Sequence, residues 1–541
     1  MIDSAAVPPS GSGVPADRPI APVPSLSSES HRSAAAAPVV LDVRNLVTYF
    51  YTYDGVVRAL EGVSFKLRRG ETLGLVGETG CGKSVTMFSI TRLVPDPPGR
   101  VVSGKVLFRG ADLLWGLGQE ARFFPIKNSN RIRVKRSFRR VKAAQARVSA
   151  VRGGGIGMIF QEPSQAMNPI FSVSDQLGEA ILEHRGLDVI DGLLASHYDP
   201  GAIQAAAENL ERALQSGDEA AVRAAAQEVG NAVGLPSFGV QAYHLARQAR
   251  TSGEIDLARS LGRAARRLRI SAGQRWYLHS ERQLRRVSQE LRDVHISEMR
   301  NGRLERARRG ALSARRLRVG LRSFPLRLWG VRRSVSRPVR EELFWRAVRA
   351  LEGVQIANPV QVARGFPHEL SGGMLQRVMI AMALVSEPEI LMADEPTTAL
   401  DVTIQAQILE LMKDLRQRVG TAILLVTHDL AVIAEVADRV AVMYAGQIVE
   451  MAPVSSLFAH PLHPYTQGLL ASIPRFDQPS KTLASIPGSV PNLIFPPSGC
   501  RFHPRCPYAM PVCKEKRPTM TDEGEGHHVA CFLFTGPPVV E

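Results

Sequence analysis

The sequence lacks any apolar run long enough to cross a membrane. A spanning helix needs roughly 18 to 20 consecutive apolar residues, and the longest apolar stretches of this 541-residue chain are broken by polar residues such as His428 and Asp429. Residues 1–38 are rich in Pro, Ala and Ser and lack the apolar segment of a signal peptide. We therefore expect a cytoplasmic chain that does not cross a bilayer by itself and that begins with a disordered leader over residues 1–38.

Cysteine is scarce and never occurs as a Cys-x-x-Cys pair. Four of the five cysteines lie near the end of the chain, separated by five, six and seventeen residues: Cys500, Cys506, Cys513 and Cys531. Without such a pair a zinc ribbon is not the natural interpretation, and a cytoplasmic location argues against disulfides. Four thiolates in one short unit could hold a 4Fe-4S cluster, and Pro507 after Cys506 is typical of ferredoxin ligands. Zinc binding and free thiols packed in a small core are the alternatives.

Acidic residues are absent from residues 121–150, and lysine is absent from residues 241–340. The first window holds 10 basic residues, and the second holds 26 Arg against 7 Asp or Glu, a balance of +19. Because the whole chain carries +16, the remainder sums to −13. The basicity therefore belongs to two segments and not to the rest of the chain.

The pattern of apolar residues predicts an α/β protein with two interruptions. Short runs indicate strands at residues 43–53, 63–67, 72–76 and 156–160, and again at 390–394, 422–427 and 440–450. The interruptions cover about 115–152 and 187–340, and the second has apolar residues at helical spacing, namely Leu284, Val287, Leu291 and Val294. We expect a main domain over residues 39–453 and a small C-terminal unit over residues 454–541.

A phosphate-binding loop follows the third predicted strand. The stretch matches Gly-x-x-x-x-Gly-Lys-Ser at every fixed position and lies between a strand and a helix, as the mechanism requires. Its residues are Gly77, Glu78, Thr79, Gly80, Cys81, Gly82, Lys83, Ser84 and Val85. Backbone amides are expected to surround a β-phosphate, Lys83 to reach the β and γ oxygens of ATP, and the Ser84 hydroxyl to ligate Mg²⁺. Cys81 is expected to be a small filler and not a ligand.

Three further motifs follow the second interruption. Leu370 begins a Leu-Ser-Gly-Gly stretch, in which Ser371, Gly372 and Gly373 open a helix whose amides can approach a phosphate. Asp394 and Glu395 close a buried strand, where the first carboxylate can hold Mg²⁺ and the second can polarise the attacking water. A strand-end acidic pair of purely structural role is the alternative. His428 ends the next strand, where it would act as a γ-phosphate sensor or as a structural residue.

The order of these elements resembles that of ABC transporter ATPases. Phosphate loop, Gln161, Leu-Ser-Gly-Gly, Asp-Glu and His occur in the same sequence as in that family, and residues 157–163 and 460–470 are similar to the dipeptide/oligopeptide/nickel importer subfamily. The likeness covers about 39–114, 153–186 and 341–532. It implies an ATPase core, an antiparallel β subdomain, an α-helical subdomain enlarged by helical insertions and a small C-terminal unit that contains the cysteines.

The resemblance also implies roles and partners. Gln161 would ligate Mg²⁺ and sense a permease, Asp401 would contact the opposite subunit, and Phe50 would stack on adenine. Strand packing is the alternative for Phe50. The implied assembly pairs this chain head to tail with a homologous subunit, as a heterodimer or a homodimer. Each ATP then lies between the phosphate loop of one chain and the Leu-Ser-Gly-Gly stretch of the other, which we call the signature. Two transmembrane permease subunits, an extracytoplasmic solute-binding protein and a place on the cytoplasmic face of the membrane complete it.

The favoured function is therefore ATP hydrolysis that drives import of di- or oligopeptides or related solutes. A DNA-repair ATPase of the ABC type, with the basic insertion as a nucleic-acid module, is the main alternative. The single set of ATPase motifs argues against it, as does the absence of Cys-x-x-Cys. A regulatory protein that binds ATP without driving transport is a weaker alternative. For the basic segments themselves, a solvated helical face, contact with membrane or permease, and nucleic-acid binding stay open.

Overall fold

The computed structural model describes residues 37–119, 121–125, 132–252, 256–328, 331–397, 401–473 and 486–535. The disordered leader predicted for residues 1–38 lies almost entirely outside this part of the chain, as do Thr398, Ala399 and Leu400 beside the Asp-Glu motif. No helix in the described ranges is both long and apolar enough to cross a membrane.

Fourteen strands are present in the described residues. In chain order they are β1 (Val39–Tyr51), β2 (Val56–Arg68), β3 (Thr72–Val76), β4 (Gly99–Phe108), β5 (Ala111–Asp112), β6 (Ala121–Pro125), β7 (Ile132–Arg136), β8 (Ile156–Ile159), β9 (Ile390–Asp394), β10 (Ala422–Val426), β11 (Arg439–Tyr444), β12 (Gln447–Pro453), β13 (Thr521–Asp522) and β14 (His528–Val529).

Nineteen α-helices are present in the same residues. They are α1 (Lys83–Ile90), α2 (Phe138–Ser149), α3 (Pro163–Ala166), α4 (Val173–Ala195), α5 (Pro200–Ser216), α6 (Glu219–Val233), α7 (Pro236–Ser252), α8 (Leu257–Leu268), α9 (Ala272–Asn301), α10 (Arg306–Leu328), α11 (Val331–Gly353), α12 (Pro359–Arg364), α13 (Gly372–Leu384), α14 (Val402–Val419), α15 (Leu430–Val436), α16 (Val454–Ala459), α17 (Pro464–Ala471), α18 (Pro511–Glu515) and α19 (Phe532–Thr535).

The main sheet has eight strands in the order β13-β14-β12-β11-β3-β10-β9-β8. Its five members from β11 to β8 run parallel, and β3, β9 and β10 are buried along their whole length. Strands covered on both faces are apolar throughout, which is why these three appear in the sequence as uninterrupted apolar runs. Alternate residues serve different cores: Leu391 and Ala393 face the helical side, whereas Ile390 and Met392 face the antiparallel sheet.

The second sheet is antiparallel, with the order β2-β1-β4-β5. It packs with helix α1 over one face of the main sheet, and the core between them includes Leu46, Leu60, Met87 and Val106. Helix α1, which follows the phosphate loop, is therefore enclosed between two sheets. This packing fixes the C-terminal end of the loop.

The C-terminal residues extend the main sheet. Strand β14 pairs with β12 through Glu450 and Val529, and β13 pairs with β14. Tyr465 and Phe502 are buried in the same core as the parallel strands. The boundary at residue 453 stays a prediction, but the tail that follows it packs directly on the main sheet.

The second interruption contains helices α5 to α10, together with parts of α4 and α11. Helices α4 to α9 enclose a hydrophobic core of their own, which includes Leu193, Leu210, Val229, Phe238 and Leu261. Part of the arginine charge is used internally, because Arg282 pairs with Asp191 at 2.6 Å and Arg309 pairs with the fully buried Glu298 at 3.3 Å.

Helix α9 joins this insertion to the antiparallel sheet. At its C-terminal end Met299 is 2% exposed and belongs to the core beneath that sheet, and Ile296 packs beside it. Its middle part contacts α4, where the Arg285 guanidinium donates to the carbonyl oxygen of Leu182. It also contacts α2 of the first interruption, whose Arg147 lies 4.8 Å from the centre of the Trp115 ring. The two basic segments, far apart in sequence, are therefore packed against each other.

Candidate active site

The phosphate loop connects β3 to α1 and requires glycine at its closest approaches. A Cβ on Gly77, whose φ is 152°, would lie 2.1 Å from the carbonyl oxygen of Met443, and one on Gly82, at φ 104°, would lie 2.7 Å from that of Ala59. Within the loop the Lys83 Nζ donates to the carbonyl oxygens of Gly77 at 2.6 Å and Glu78 at 3.1 Å. The ammonium is thus held over the loop, where it can meet the phosphates of a nucleotide.

The side chain of Cys81 fills space inside the loop, and its absence from the set of ligands stays a prediction. It is fully buried, and burial raises the pKa of its thiol. A Cβ on Gly77 would lie 2.9 Å from this sulfur, so the absence of a side chain at Gly77 leaves the space that the Cys81 side chain occupies.

Ser84 and Asp394 meet at the end of the parallel strands. The Ser84 hydroxyl donates to Oδ1 of Asp394 at 3.0 Å, although the two residues are 310 positions apart. Burial raises the pKa of Asp394 to about 6, and the charge of Glu395 adds to the rise, whereas the Ser84 hydrogen bond and Lys83 oppose it. A buried carboxylate beside a hydroxyl is a donor set that suits Mg²⁺.

Glu395 lies between Gln161, the predicted Mg²⁺ ligand, and His428, the predicted γ-phosphate sensor. Its Oε2 accepts from Nε2 of Gln161 at 3.0 Å, and its Oε1 is 3.0 Å from Nδ1 of His428. The backbone at Glu395 has φ 44°, a left-handed conformation that is uncommon for residues other than glycine, and its N–H donates to the carbonyl oxygen of Val426 at 2.8 Å. The structure therefore brings together three residues that are widely separated in the sequence and directs one carboxylate at the site.

The signature stretch is exposed at the start of helix α13. Ser371 is the N-cap, and its hydroxyl accepts from the N–H of Met374 at 3.4 Å, while Gly372 is the first helical residue. Leu375 is buried in the main core, so its apolar character is explained by packing.

Two other assigned residues have local structural partners. Asp401 is the N-cap of α14 and accepts from the N–H of Ile404 at 2.9 Å. Phe50 is half-buried on β1, and its ring lies against Gly99 beside Val94, which favours the packing alternative. Tyr53 is fully exposed. Contacts of Phe50 with adenine and of Asp401 with an opposite subunit stay predictions.

Two residues of the C-terminal region contact the phosphate loop, and the sequence analysis assigned neither to it. The Glu78 N–H donates to the Tyr465 hydroxyl at 2.9 Å, and the Arg505 guanidinium holds the Glu78 carboxylate at 2.7 and 3.0 Å. Tyr465 lies within residues 460–470, which are similar to the importer subfamily. No local pattern in the sequence predicts its contact with Glu78.

The four C-terminal cysteines line one small apolar pocket, together with Phe502, Tyr508 and Phe532. Burial raises the pKa of Cys500 to about 11 and raises those of Cys506 and Cys531. For each of these three thiols the backbone two residues ahead, at Phe502, Tyr508 and Leu533 respectively, opposes this rise in pKa. In the described residues no group of three or more His, Cys, Asp or Glu side chains is arranged to hold a metal ion.

Comparison with known proteins identifies two family regions. Residues 60–398 match the family ABC transporter, and residues 449–513 match the oligopeptide/dipeptide transporter, C-terminal region.

Curated relatives cover nearly the whole chain. The probable peptide ABC transporter ATP-binding protein y4tR of Sinorhizobium fredii is 33% identical over 93% of this chain and 97% of its own length. In Bacillus subtilis, the dipeptide transport ATP-binding protein DppD is 32% identical over 91% of this chain and 94% of its own, and the oligopeptide transport ATP-binding protein OppD is 33% identical over 92% and 89%. These matches support the transporter prediction and not the DNA-repair alternative.

The phosphate loop, the Asp394–Glu395 pair and the matches over both regions lead to one conclusion: the chain belongs to the ABC transporter family, as an ATPase with that family's ATP-binding cassette.

Proposed function

We propose that this chain is the ATP-hydrolysing subunit of an importer for di- or oligopeptides or related small solutes. The observation that carries the proposal is the position of Glu395, held between Gln161 and His428 beside the Ser84–Asp394 pair. The relatives that cover this chain almost completely are named for peptide, dipeptide and oligopeptide transport. They support the choice of solute class, which the ATPase site itself does not select.

The side chains divide the chemistry between them. Lys83 neutralises the β and γ oxygens of ATP, and the loop amides hold the β-phosphate. Ser84 and Asp394, with the amide oxygen of Gln161, would hold Mg²⁺, which when bound draws charge from the phosphate oxygens. Glu395 accepts a hydrogen bond from the attacking water and so orients it toward the γ-phosphate. His428 contacts Glu395 from the neighbouring strand, so loss of the γ-phosphate can change the position of both.

The exposed signature requires a second subunit. Ser371 and Gly372 are exposed at the start of α13, and a helix start is favourable for a phosphate. A homologous subunit, or a second copy, placed head to tail would bring its phosphate loop to this surface. ATP would then close the pair, and hydrolysis would reopen it. Two permease subunits in the membrane, an external solute-binding protein and a peripheral place on the cytoplasmic face complete the proposed assembly.

Glu395→Gln tests the assignment of the catalytic carboxylate. The change keeps the shape and removes the negative charge, so we expect steady-state ATP hydrolysis to fall by roughly a hundredfold or more while ATP binding persists. Glu435→Gln is a matched control, because Glu435 forms a surface ion pair with Lys413 at 2.9 Å, away from the loop. Equal hydrolysis rates for wild type and the Glu395 variant would overturn the assignment.

The cysteine pocket is proposed to hold a 4Fe-4S cluster. Four cysteine side chains around one small cavity supply the ligand number, with Cys513 buried and the other three partly buried. The backbone beside three of them favours the thiolate and would stabilise negative charge on coordinated sulfur. Anaerobically purified protein should then contain iron and acid-labile sulfide in equal amounts and lose its visible absorbance in Cys500→Ser. One zinc ion and no iron, or four free thiols and no metal, would each reject the cluster.

A further inference from the structure

Glu78, the second residue of the phosphate loop, has all of its polar groups occupied. Its carbonyl oxygen accepts from Lys83 at 3.1 Å, within the loop. Its N–H donates to the Tyr465 hydroxyl at 2.9 Å, and both carboxylate oxygens accept from Arg505, at 2.7 and 3.0 Å. The contacts of the N–H and of the carboxylate come from the C-terminal region, 387 and 427 residues further along the chain.

Arg505 is itself fixed from several sides. It ends a short 3-10 turn, His503–Arg505, and its side chain is 6% exposed. Its remaining donors go to the carbonyl oxygen of Pro487 at 2.8 Å, to that of Ile486 at 3.3 Å and to the Tyr444 hydroxyl at 3.3 Å. Its guanidinium also lies 5.7 Å from the centre of the Tyr444 ring. A planar guanidinium held in this way offers Glu78 a fixed pair of donors and not a mobile charge.

Tyr465 is equally constrained. Its ring is fully buried and lies 4.6 Å from that of Tyr444 and 5.4 Å from that of Phe502. Its backbone N–H donates to Nδ1 of His463 at 3.0 Å, which caps the helix start. Burial lowers the pKa of His463 to about 3, so this imidazole stays neutral and remains an acceptor at physiological pH. The hydroxyl that meets the Glu78 N–H is therefore held by packing.

These contacts bear on nucleotide binding through Lys83. The lysine donates to the carbonyl oxygens of Gly77 and Glu78, the two residues at the entrance of the loop. The Glu78 N–H and the Gly77 carbonyl belong to one peptide unit, so loss of the Tyr465 contact would let that unit rotate and would deprive the ammonium of a fixed acceptor. The Glu78 carbonyl is held separately, by the Cys81 N–H at 3.3 Å. The order of the loop before ATP binds, and therefore the entropy lost when it binds, depends on the C-terminal region.

We propose that Arg505 and Tyr465 are positioning residues for the phosphate loop, so that the C-terminal region sets the affinity of this ATPase for ATP. The proposal rests on the proposed function, and it assigns a role within that function to residues that do not touch the nucleotide. Its expected signature is a change in ATP affinity without a comparable change in the rate of the chemical step, because Glu395, Gln161 and His428 are not involved.

The first experiment compares Arg505→Gln with Arg517→Gln in the full-length protein. Arg517 is also in the C-terminal region, but it pairs with Glu61 at 2.6 Å on the antiparallel sheet and not with the loop. We expect Arg505→Gln to weaken binding of a fluorescent ATP analogue and to raise KM for ATP by about tenfold, with kcat at saturating ATP changed less than twofold. Arg517→Gln should change neither, and Arg505→Lys, which keeps the charge but not the fork, should fall between.

A second experiment separates positioning from folding. Tyr465→Phe removes one oxygen and keeps the buried ring, so it should fold normally, with an unchanged thermal midpoint in the absence of nucleotide, and still raise KM for ATP. In a Glu78→Gln background, Arg505→Gln should add little to KM, because the ion pair is already lost. The proposal is overturned if Arg505→Gln and Tyr465→Phe leave KM unchanged, or if Arg517→Gln raises KM as much. Failure of wild type to bind the analogue would instead reject the proposed function.

Discussion

Asp394→Asn is expected to stabilise the nucleotide-free protein while it abolishes magnesium-dependent nucleotide binding. The carboxylate is 2% exposed, and burial raises its pKa from 3.8 to about 6. The difference between 6 and 3.8, about 2.2, corresponds to roughly 3 kcal/mol at about 1.36 kcal/mol for each pKa unit. That free energy is the cost of keeping a charged carboxylate in the empty site, and a neutral amide of the same shape avoids it.

The sign of the pH dependence follows from the raised pKa. Below pH 3.8 the carboxyl is protonated in both folded and unfolded protein, so its burial carries no charge penalty. As the pH rises toward 6 and beyond, the unfolded state ionises first, and the folded state loses stability relative to it. We therefore expect the Asn variant to exceed wild type by about 3 kcal/mol at pH 8 and by roughly half as much at pH 5.

Urea unfolding of nucleotide-free protein at pH 5, 6 and 8 measures this difference. Asp438→Asn is the matched control, because Asp438 pairs with Arg416 at 2.9 Å and accepts from the Thr72 N–H at 2.8 Å. The same change there removes a partner from a cation and should destabilise. An Asp394 variant that is less stable than wild type at pH 8, or a difference that does not vary with pH, would refute the reasoning. Added Mg-ATP should raise the unfolding midpoint of wild type but not of the variant.

Three shorter predictions concern other parts of the molecule. Lys83→Ala should weaken ATP binding by roughly a hundredfold, measured by equilibrium titration, because it removes the cation that meets the phosphates. Ser371→Arg should leave ATP binding by the single chain intact but prevent ATP-dependent pairing of subunits in sedimentation experiments performed in the slowly hydrolysing Glu395→Gln background. Met299→Ala should lower the free energy of unfolding by about 3 kcal/mol through the cavity it leaves, whereas Leu304→Ala, at an exposed position, should change it little.

Local sequence pattern was sufficient to predict the parts of the site that lie on parallel strands. The strands predicted at residues 72–76 and 390–394 have the bounds of β3 and β9, because a strand buried on both faces leaves an uninterrupted apolar run. Ser84, Asp394 and Glu395 were identified because each follows such a strand or its loop directly. Parallel strands place their carboxyl ends at one edge of the sheet. The proximity of these residues can therefore be predicted without any information about side-chain packing.

Contacts between distant segments could not be predicted in this way. Arg505 pairs with Glu78 across more than 400 residues, and neither residue carries a local pattern that names the other. Met299 appears in the sequence as one apolar position on an amphipathic helix, and only the structure shows that it belongs to the core under the antiparallel sheet. Periodicity identifies which residues are buried, but not which surface buries them.

The position of Met299 has a consequence for the order in which this protein can fold during synthesis. All four strands of the antiparallel sheet are complete by Asp112, yet their core also contains a side chain from the end of α9. Met299 lies nearly two hundred residues beyond Asp112, and the same core also takes Ile390, Met392 and Ile448 from later strands of the main sheet. The N-terminal sheet therefore waits, with apolar surface uncovered, for a helix of the second interruption and then for those strands, and chaperone binding to nascent chains should be greatest in this interval.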